Sequence, residues 1–491
     1  MLLWPEPTVI LAAARTNHHQ LNAANHVLVQ GIPLPEVRRR QRAWIGHTDD
    51  ARPLVATGHQ TELYHAGVWV KDALSDRVAK ALDGAAYHFA VDTDEPKHLL
   101  VRWPGHAEPL TDDPAVAVAT WSGQVDAPTP AHLRHIEQAF DAAAAEWSFR
   151  PMMHHFFASM RKLSLETPKL PIAVTDAIHH LDWELGLRHH ALVVSPIFTS
   201  EPFGLFVHHL LADSARFCAA YNDALAEFRL EYKIKSTTRP MPDLKVTLEM
   251  REVPFWLDFL DDGTRQRATL LRIGTSWGLR AREGQTFIFD PNAEGWSAAA
   301  DLSRWMRENQ VRLSPRALTL TLFFRLLLVD QFVHGIGGGR YDQVTDDLIE
   351  RYFGIEAPRF CVTTATLFFP EALGRVRACL PCVEQEGRRL RHGLLGEGKR
   401  ALVEKIAALP RKSMERGRLF AEMHSMLAAA AQDHPAMARW SSQMRDARAG
   451  AEEDRRLFDR ELFFAIQPRQ RLQEMIEQYD IAFGIMPASV Q

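Results

Sequence analysis

One stretch of the sequence, from Thr57 to Lys71, has the residue types that bind anions. It contains two glycines, two histidines and a lysine, namely Gly58, Gly67, His59, His65 and Lys71. An apolar run over residues 53–56 precedes it and a helical pattern over 68–82 follows it, which predicts a strand–loop–helix junction. Free backbone N–H groups at such a helix start, together with the helix dipole, favour phosphate or carboxylate. The alternative is that both glycines only allow a turn, because no standard phosphate-binding motif is matched.

Acidic residues follow the next predicted strand. Residues 85–91 are a short apolar run, and the segment directly after it contains Asp92, Asp94, Glu95 and His98. Polar groups just beyond strand ends are where open parallel sheets bind ligands. The two segments therefore predict a βαβ unit with a ligand site at its edge. The alternative is that the acids form a solvated loop.

A second glycine-rich segment covers residues 334–342. Gly337, Gly338 and Gly339 are consecutive there, and Tyr341 and Asp342 come next. Consecutive glycines let a ligand or another backbone approach closely. The pattern predicts a buried helix that begins at Ser314 and Pro315, extends through 318–333 and leads into this loop, which opens a helix over 343–353. We expect the loop to close the other side of the pocket, and a plain turn is the alternative.

Three other sequence patterns are weaker indications of a functional site. Adjacent histidines occur as five pairs, but neighbouring residues on a helix point about 100° apart and chelate one metal poorly, so exposed histidines are expected and zinc is the alternative. Cys379 and Cys382 have CxxC spacing without a second such pair, which leaves a zinc site or a redox pair as minor alternatives. Residues 393–399 fit GxxxxGK, but Arg400 stands where a magnesium-binding hydroxyl belongs.

Length and composition narrow the class of protein. The chain has 491 residues, of which 46% are hydrophobic and 24% charged, and a net charge of −4. This length predicts two or three lobes, and the charge argues against broad nucleic-acid binding. The chain has 4 cysteines, too few for a disulfide framework, and its first residues do not form a signal peptide. We expect a cytoplasmic protein with a small-molecule substrate and with neither a nucleic-acid nor a membrane partner.

The ends of the chain are expected to be helical. The basic run at residues 38–42 is predicted to be the solvated face of an N-terminal helix, with anion binding as the alternative.

Apolar residues recur at helical spacing over 419–430 and 437–447, and residues 433–435 separate the two patterns. These patterns predict an antiparallel helical hairpin. Its methionine-rich face is either core or a homodimer contact.

The order of these motifs resembles the cysteine-adding enzyme family of bacillithiol biosynthesis. That family has a TGQQ-type segment after its first strand, followed by a leucine, a glycine and a lysine. The matching residues here are Thr57, Gly58, His59, Gln60, Leu63, Gly67 and Lys71, with histidine in place of the first of the two glutamines. In the family an acidic cluster with histidine then ends a strand, and residues 92–98 stand in that place here.

Two later motifs extend the resemblance. Leu313, Ser314 and Arg316 match an LS…R helix, and residues 336–342 match a GGP-type loop with Gly339 in place of proline. A helical arm near the C-terminus also matches. The resemblance implies a Rossmann-like α/β core with connecting insertions, a coiled-coil arm used for dimerisation, and a nucleotide-type pocket. ATP or ADP is a possible cofactor, and no metal is predicted.

The expected domain organisation follows from the patterns and the resemblance together. Residues 1–385 form the α/β core, with a helical insertion at about 130–185 and a small β-rich insertion at about 240–300. Residues 386–467 form the antiparallel coiled-coil arm. Residues 468–491 form a C-terminal helix and tail that return to the core.

The functional hypothesis is a ligase-type enzyme that joins cysteine or another amino acid to a small amino-containing substrate. The alternatives are a non-catalytic, dimeric ligand-binding module and an RNA-linked enzyme of synthetase type. Lys71 would stabilise developing negative charge, and the acids would orient or deprotonate the amine. The candidate catalytic residues are Lys71, Asp92, Asp94, Glu95 and His98. The candidate substrate- or nucleotide-binding residues are Thr57, Gly58, His59, Gln60, His65, Gly67, Arg316, Gly337, Gly338, Gly339, Tyr341 and Asp342.

Overall fold

The computed structural model describes residues 1–290, 293–316 and 318–485. The chain divides into two compact units, one formed by residues 1–367 with 461–491 and the other by residues 368–460. The second unit begins at Phe368 rather than at residue 386, because its first long helix packs on its last one.

The strands are β1 (Leu2–Trp4), β2 (Leu28–Val29), β3 (Ile32–Pro33), β4 (Leu54–Gln60), β5 (Ala85–Val91), β6 (Leu100–Trp103), β7 (His106–Pro109), β8 (His190–Val193), β9 (Met250–Phe259), β10 (Arg265–Ile273), β11 (Ser276–Arg280), β12 (Thr286–Ile288), β13 (Val311–Pro315), β14 (Gln331–His334) and β15 (Cys361–Thr364). The helices are α1 (Pro7–Ala23), α2 (Leu34–Trp44), α3 (Ala66–Ala81), α4 (Pro130–Ala144), α5 (Met153–Glu166), α6 (Leu170–Glu184), α7 (Glu201–Ala212), α8 (Ser214–Glu231), α9 (Gly295–Glu308), α10 (Leu318–Leu327), α11 (Ile336–Phe353), α12 (Leu380–Gly393), α13 (Gly396–Ala408), α14 (Met414–Gln432), α15 (Pro435–Leu457) and α16 (Arg469–Ala482).

The first unit is a mixed α/β structure built on a six-stranded sheet. Its strand order is β1-β15-β14-β4-β5-β8, and all neighbours are parallel except the pair of β1 with β15. From β4 the chain adds β5 and β8 on one side, and later adds β14 and β15 on the other. The direction of strand addition therefore reverses between β4 and β14. In open parallel sheets, the crevice at the carboxyl ends of such a strand pair is the usual ligand site.

The predicted βαβ unit at residues 53–91 is confirmed as β4, α3 and β5. However, β4 extends through Gln60, so residues 57–60 belong to the strand and not to the expected loop. They are drawn into the strand because the segment from Gly58 to Gln60 pairs in register with Phe89 to Val91. A Cβ on Gly58 would lie 2.9 Å from the Phe89 carbonyl oxygen, so the close approach of the two strands requires glycine there.

The predicted helix start at Ser314 and Pro315 is wrong. Both residues lie in β13, which pairs antiparallel with β9 through Trp256 and Phe255. The hydroxyl of Ser314 donates to the buried carboxylate of Asp258, 2.6 Å away, and this contact favours the strand over a helix cap. The apolar segment after it is also not one helix, because α10 ends at Leu327 and residues 331–334 form the sheet strand β14.

The second glycine-rich segment is helical rather than a loop. Helix α11 begins at Ile336, with Gly335 as its N-cap, so Gly337, Gly338 and Gly339 form its first turn. A Cβ on Gly339 would lie 2.5 Å from Val362 Cγ2, so this glycine lets α11 pack closely against β15. The helix was expected to begin only at residue 343, because glycine has low helix propensity.

A second sheet, with all neighbours antiparallel, forms the expected β-rich insertion. Its order is β12-β11-β10-β9-β13, and it extends past residue 300 because β13 completes it. The sequence of residues 245–249 predicts a strand, but β9 begins only at Met250. The amphipathic pattern of residues 203–228 predicts one long helix, but the structure has two helices, α7 and α8, that meet at Asp213. The helical insertion over residues 130–185 is present as α4, α5 and α6.

Stacked aromatic rings join α10 to the parallel sheet. The ring centroid of Phe324 lies 4.6 Å from that of Phe89 on β5 and 6.1 Å from that of Phe332 on β14. All three rings are buried in the main hydrophobic core. Offset stacking of such rings adds about 1 kcal/mol per pair beyond their burial.

The basic run at residues 38–42 is a solvated face only in part, because Arg39 and Arg40 are exposed and the other two arginines are buried. Arg38 and Arg42 are each 1% exposed, and both guanidinium groups lie 2.8 Å from the carboxylate of Asp330. The same carboxylate accepts a hydrogen bond from the backbone N–H of Leu54 at 2.8 Å and contacts His18 Nδ1 at 3.1 Å. Burial alone would raise the pKa of Asp330, but Arg42, His18 and Arg38 together hold it well below its usual range. The sequence could not show this because the partner lies 292 residues beyond Arg38.

Two of the ten paired histidines are buried, contrary to the expectation of exposed ones. His208 on α7 is 1% exposed and His189 before β8 is 3% exposed. His208 packs edge-on against Phe289, with ring centroids 5.2 Å apart. Burial lowers the pKa of His208 to about 4, so the ring is neutral near pH 7.

The second unit consists of four long helices. Within it α12 packs on α15 and on α14, and α13 packs on α14. The predicted break at residues 433–435 is confirmed, since α14 ends at Gln432 and α15 begins at Pro435. Met423 and Leu427 form a small core with Ile406, so part of the methionine stripe is internal. The expected pairing of the helices at 419–430 and 437–447 with each other is replaced by contacts to α13 and α12.

The C-terminal helix α16 belongs to the first unit, where it packs on α3. The expected tail after residue 485 lies outside the described residues. Among the described residues, no helix combines the length and apolar character needed to cross a bilayer.

Replacing Asp330 by asparagine is expected to lower the free energy of unfolding by about 3–5 kcal/mol, because two buried arginines lose their counter-charge. Urea denaturation at pH 7 measures the change. The matched control is Asp301→Asn, since Asp301 pairs with Arg304 at 3.1 Å on an exposed helix face. That control should change stability by less than about 1 kcal/mol. Equal effects of the two substitutions would contradict the role given to Asp330.

His208→Phe is expected to make the protein less sensitive to acid. The unfolded chain protonates this histidine below pH 6.5, whereas the folded chain resists protonation down to about 4. Stability is therefore lost as the pH falls through this window, by up to about 3 kcal/mol for one such group. Melting temperatures measured from pH 7 to pH 4 should fall less steeply for the variant.

Candidate functional site

A cavity of about 260 Å³ lies between β4 and β14, where the direction of strand addition reverses. Its floor is apolar, with Phe324 and Phe332 from the aromatic stack. Its polar lining comes from His334 at the end of β14 and from Asp342 on α11. We call it the switch-point cavity. Gly58, Gly338, Tyr341 and Asp342, which belong to two motifs far apart in sequence, all line it.

The N-terminus of α11 opens beside this cavity. No side chain caps it, because its N-cap residue is Gly335. A Cβ added at Gly335 or Gly337 would meet no heavy atom within 4 Å, so the first turn is accessible. The unpaired N–H groups and the positive end of the helix dipole favour an anion at such a position.

An ion-pair cluster fixes this first turn in place. Asp342 accepts a hydrogen bond from Arg325 at 2.7 Å and contacts His334 Nε2 at 2.9 Å. Burial would raise the pKa of Asp342, but Arg325 and then His334 hold it well below its usual range. The carboxylate is therefore charged at all ordinary pH values, and it ties α11 to both α10 and β14.

A second cavity, of about 280 Å³, contains the other candidate histidines. His59, His65 and His98 line it together with Glu62 and Arg102, and we call it the strand-end cavity. Gly58 lines one cavity and His59 the other because neighbouring residues on a strand point to opposite faces. The two cavities therefore lie on either side of the end of β4.

His59 is a neutral imidazole at the edge of the strand-end cavity. Burial, and next the charge of Lys71, hold its pKa well below the usual value, so the ring is neutral at pH 7. Its Nδ1 lies 3.3 Å from the Gln60 carbonyl oxygen and 3.2 Å from Glu62 Oε1. Because both neighbours accept hydrogen bonds, the proton belongs on Nδ1 and the lone pair on Nε2. Burial also raises the pKa of Glu62, an effect that His98 and Lys71 oppose.

His65 closes the N-terminus of α3, which was the expected anion cradle. Its Nδ1 accepts the backbone N–H of Gly67 at 3.0 Å, and its Nε2 lies 3.5 Å from Glu461. A Cβ on Gly67 would lie 2.5 Å from the carbonyl oxygen of Ala365, so this glycine serves packing. The helix that is open to an anion is α11, whereas α3 is capped by the protein itself.

Lys71 lies inside the protein and lines neither cavity. It is 5% exposed, and its Nζ donates to the carbonyl oxygen of Gly58 at 2.8 Å. Burial lowers its pKa to about 8, partly offset by the charges of Asp72 and Glu62. This position supports the end of β4 and the electrostatics of His59, rather than direct contact with a bound anion.

The acidic residues after β5 are separated and already partnered. Asp92 accepts the hydroxyl of Ser195 at 2.5 Å and its backbone N–H at 2.9 Å, and so joins the ends of β5 and β8. Asp94 accepts the Gln60 amide at 2.6 Å. Glu95 is exposed, 3.7 Å from Lys97. They do not form one cluster with Lys71.

The remaining candidates are structural contacts. Thr57 is buried and donates to the carbonyl oxygen of Val333 at 2.8 Å, which joins β4 to β14. Arg316 donates to Glu252 at 2.7 Å and stacks over Trp256 in the antiparallel sheet.

Sequence reasoning missed a buried polar cluster behind the strand-end cavity. Asp72 on α3 contacts His88 Nδ1 at 2.6 Å, and Asp182 on α6 accepts from Trp69 Nε1 at 2.7 Å. A small cavity of about 10 Å³ lies beside this cluster, which is close to the smallest size that can hold one water molecule. The lining atoms with no hydrogen-bond partner in the described structure are Thr61 Oγ1, Glu62 Oε2, His179 Nδ1, Asp182 Oδ2 and His189 Nδ1. One signal was available, because His88 is a lone polar residue within the apolar run 85–91.

The two buried aspartates of this cluster differ in charge. Burial, and next the charge of Asp72, raise the pKa of Asp182 well above its usual value. Burial acts in the same direction on Asp72, but His88 outweighs it, and the pKa of Asp72 is lowered. Asp72 is the charged member of the pair at neutral pH.

Among the described residues, no group of three or more histidine, cysteine, aspartate or glutamate side chains is placed to hold a metal ion. No protein-family model matches the chain, and no curated protein matches it significantly.

Asp182→Asn is expected to change the free energy of unfolding at pH 7 by less than about 1 kcal/mol, because a neutral amide replaces a mainly neutral carboxyl group of the same shape. Asp72→Asn should cost about 2–3 kcal/mol, because it removes the charge that pairs with His88. Chemical denaturation of both variants in the same buffer makes the comparison. A larger loss for Asp182→Asn than for Asp72→Asn would contradict this assignment of charge.

Proposed function

We propose that the protein is a ligase-type enzyme that forms a carbon–nitrogen bond, with a phosphate-bearing, nucleotide-like ligand at the switch-point cavity. The observation that carries the proposal is the open, glycine-rich N-terminus of α11 beside that cavity. The strand order and the position of the cavity support a Rossmann-like arrangement of the core.

The lining of the switch-point cavity suits the two ends of a nucleotide. The apolar surface of Phe324 and Phe332 matches a flat ring system, whereas the N-terminus of α11 matches a phosphate. ATP or ADP is the natural candidate. A phosphate leaving group would be stabilised by the same N–H groups as its charge develops.

We assign the role of proton acceptor to His59, which lines the strand-end cavity, so the reacting amine must reach past the end of β4 from the ligand in the switch-point cavity. An amine nitrogen attacks the activated carbonyl carbon of cysteine or another amino acid, the carbon–nitrogen bond forms, and the leaving phosphate carries away the electron pair. The proton from the amine passes to His59 Nε2. Glu62 beside Nδ1 stabilises the charged ring that results. This role replaces the one expected for Asp92 and Asp94, which already have protein partners.

One observation favours the alternative of a ligand-binding protein without catalysis. Lys71, Asp92 and Asp94, three of the five candidate catalytic residues, are held by contacts within the protein. A non-catalytic module would bind the ligand and form no product. Dimerisation through the second unit stays a prediction under both hypotheses.

The ligand site is tested by placing a charge at Gly337. Gly337→Asp is expected to fold normally, because the new side chain enters open space and an acid in the first turn suits the helix dipole. It should nevertheless repel an anionic ligand. The matched control Gly337→Asn has the same shape without the charge. Thermal-shift assays with ATP, ADP, AMP and inorganic phosphate should show stabilisation of the wild type and the asparagine variant, but not of the aspartate variant.

Catalysis is tested by incubating the protein with ATP, cysteine and an amino sugar and measuring the conjugate by mass spectrometry. His59→Gln should retain the nucleotide thermal shift but lose at least about 100-fold in turnover, because a general base is worth about that much. Nucleotide binding without any conjugate would favour the non-catalytic module. No shift with any phosphate compound, in any variant, would remove the ligand from the N-terminus of α11.

A further inference from the structure

The CxxC pair of the second unit forms a disulfide between Cys379 and Cys382. The pair lies at the start of α12, with Cys379 as the N-cap and Cys382 in the first turn. Both residues are exposed. A small thiol in solution can therefore reach either sulfur.

Helix α15 holds the chain on both sides of this disulfide. Before it, the backbone N–H of Ala378 donates to Asp454 Oδ2 at 2.6 Å, and Arg375 donates to the same carboxylate at 3.1 Å. After it, Trp440 Nε1 donates to the carbonyl oxygen of Val383 at 2.7 Å. These contacts do not depend on the S–S bond, so the two sulfurs stay close together after the bond is cut.

The start of α12 also favours the reduced form of the pair as a reactive thiolate. No side chain caps this helix, so the positive end of its dipole acts on the sulfur atoms. Cysteines at helix N-termini and in CxxC pairs are the ones that react by thiol exchange. Because only two residues separate the sulfurs, the bond closes a small ring and restricts the unfolded chain little.

The other two cysteines differ in each of these respects. Cys218 and Cys361 are buried, and burial raises the pKa of each thiol to about 12. They are therefore thiols, not thiolates, at neutral pH. Cys218 and Cys361 therefore serve as internal controls for the reactivity of Cys379 and Cys382.

We propose that Cys379 and Cys382 form a reversible thiol–disulfide exchange site for a low-molecular-weight thiol. A thiolate of the small molecule attacks one sulfur of the pair, the S–S bond breaks, and the other cysteine leaves as a thiolate that takes up a proton. A second small thiol attacks the mixed disulfide and releases the second cysteine. In sum, two small thiols are oxidised to one disulfide and the protein disulfide is reduced to a dithiol. The reverse sequence closes the pair again.

The test equilibrates the full-length protein with mixtures of reduced and oxidised glutathione, then blocks free thiols with N-ethylmaleimide and measures intact mass. As the ratio of reduced to oxidised glutathione changes, the number of labels per chain should change reversibly between none and two. The fully oxidised and the fully reduced protein should have the same melting temperature. Peptide mapping should place the labels on Cys379 and Cys382. The double variant Cys218→Ser and Cys361→Ser should behave identically.

Two variants separate an exchange site from a static crosslink. Cys379→Ser should leave Cys382 as a mixed disulfide with glutathione, which adds one glutathione mass. Trp440→Phe keeps an aromatic ring at this position but removes the hydrogen bond to Val383. The disulfide of this variant should therefore need several-fold more oxidised glutathione to close again than that of the wild type. Three results would overturn the proposal. The first is labelling only in denaturant, and the second is a disulfide that stays closed in excess reduced glutathione. The third is a Trp440→Phe variant that recloses at the same ratio of reduced to oxidised glutathione as the wild type.

Discussion

The carboxylate of Asp330 is the contact on which the arrangement of the first unit depends. It lies between the two buried arginines of α2 and the backbone N–H of Leu54. The backbone N–H of Asp330 donates in turn to the carbonyl oxygen of Leu54 at 2.8 Å. Asp330 therefore sets the relative position of β4 and β14 at the first residues of the two strands. The opposite ends of these two strands border the switch-point cavity. The buried charge thus sets the register of the strands that carry the candidate site about 13 Å away along each strand.

The parts of the fold that were predicted correctly are those encoded by local patterns. The βαβ unit has short apolar runs, a helical repeat and a length that suits a crossover, and each of these can be seen within forty residues. The errors arise where a distant partner decides the structure. Ser314 and Pro315 have the local pattern of a helix start, yet pairing with β9 and the contact to Asp258 place them in a strand. Arg38 and Arg42 have the pattern of a surface patch, yet their counter-charge lies far along the chain.

In the candidate site, too, local patterns predicted some features, whereas others depend on contacts that are distant in sequence. The sequence identified both segments that border the switch-point cavity, because glycine and strand-end patterns are local. It did not show that neighbouring residues on β4 face opposite cavities, since this depends on how far the strand extends past Gly58. It also could not show which helix start is available to an anion. His65 caps α3 through the N–H of Gly67, whereas Gly335 leaves α11 without such a cap.

The distance in sequence between Leu54 and Asp330 affects how the chain is made. These residues are 276 positions apart, so β4 emerges from the ribosome long before the strand that will lie beside it. Until residues 331–334 follow, one side of β4 has no partner, and unpaired strand edges join readily to other chains. A nascent or truncated chain that ends before Asp330 also leaves Arg38 and Arg42 without their counter-charge. We therefore expect such a chain to be an aggregation-prone intermediate rather than a smaller domain.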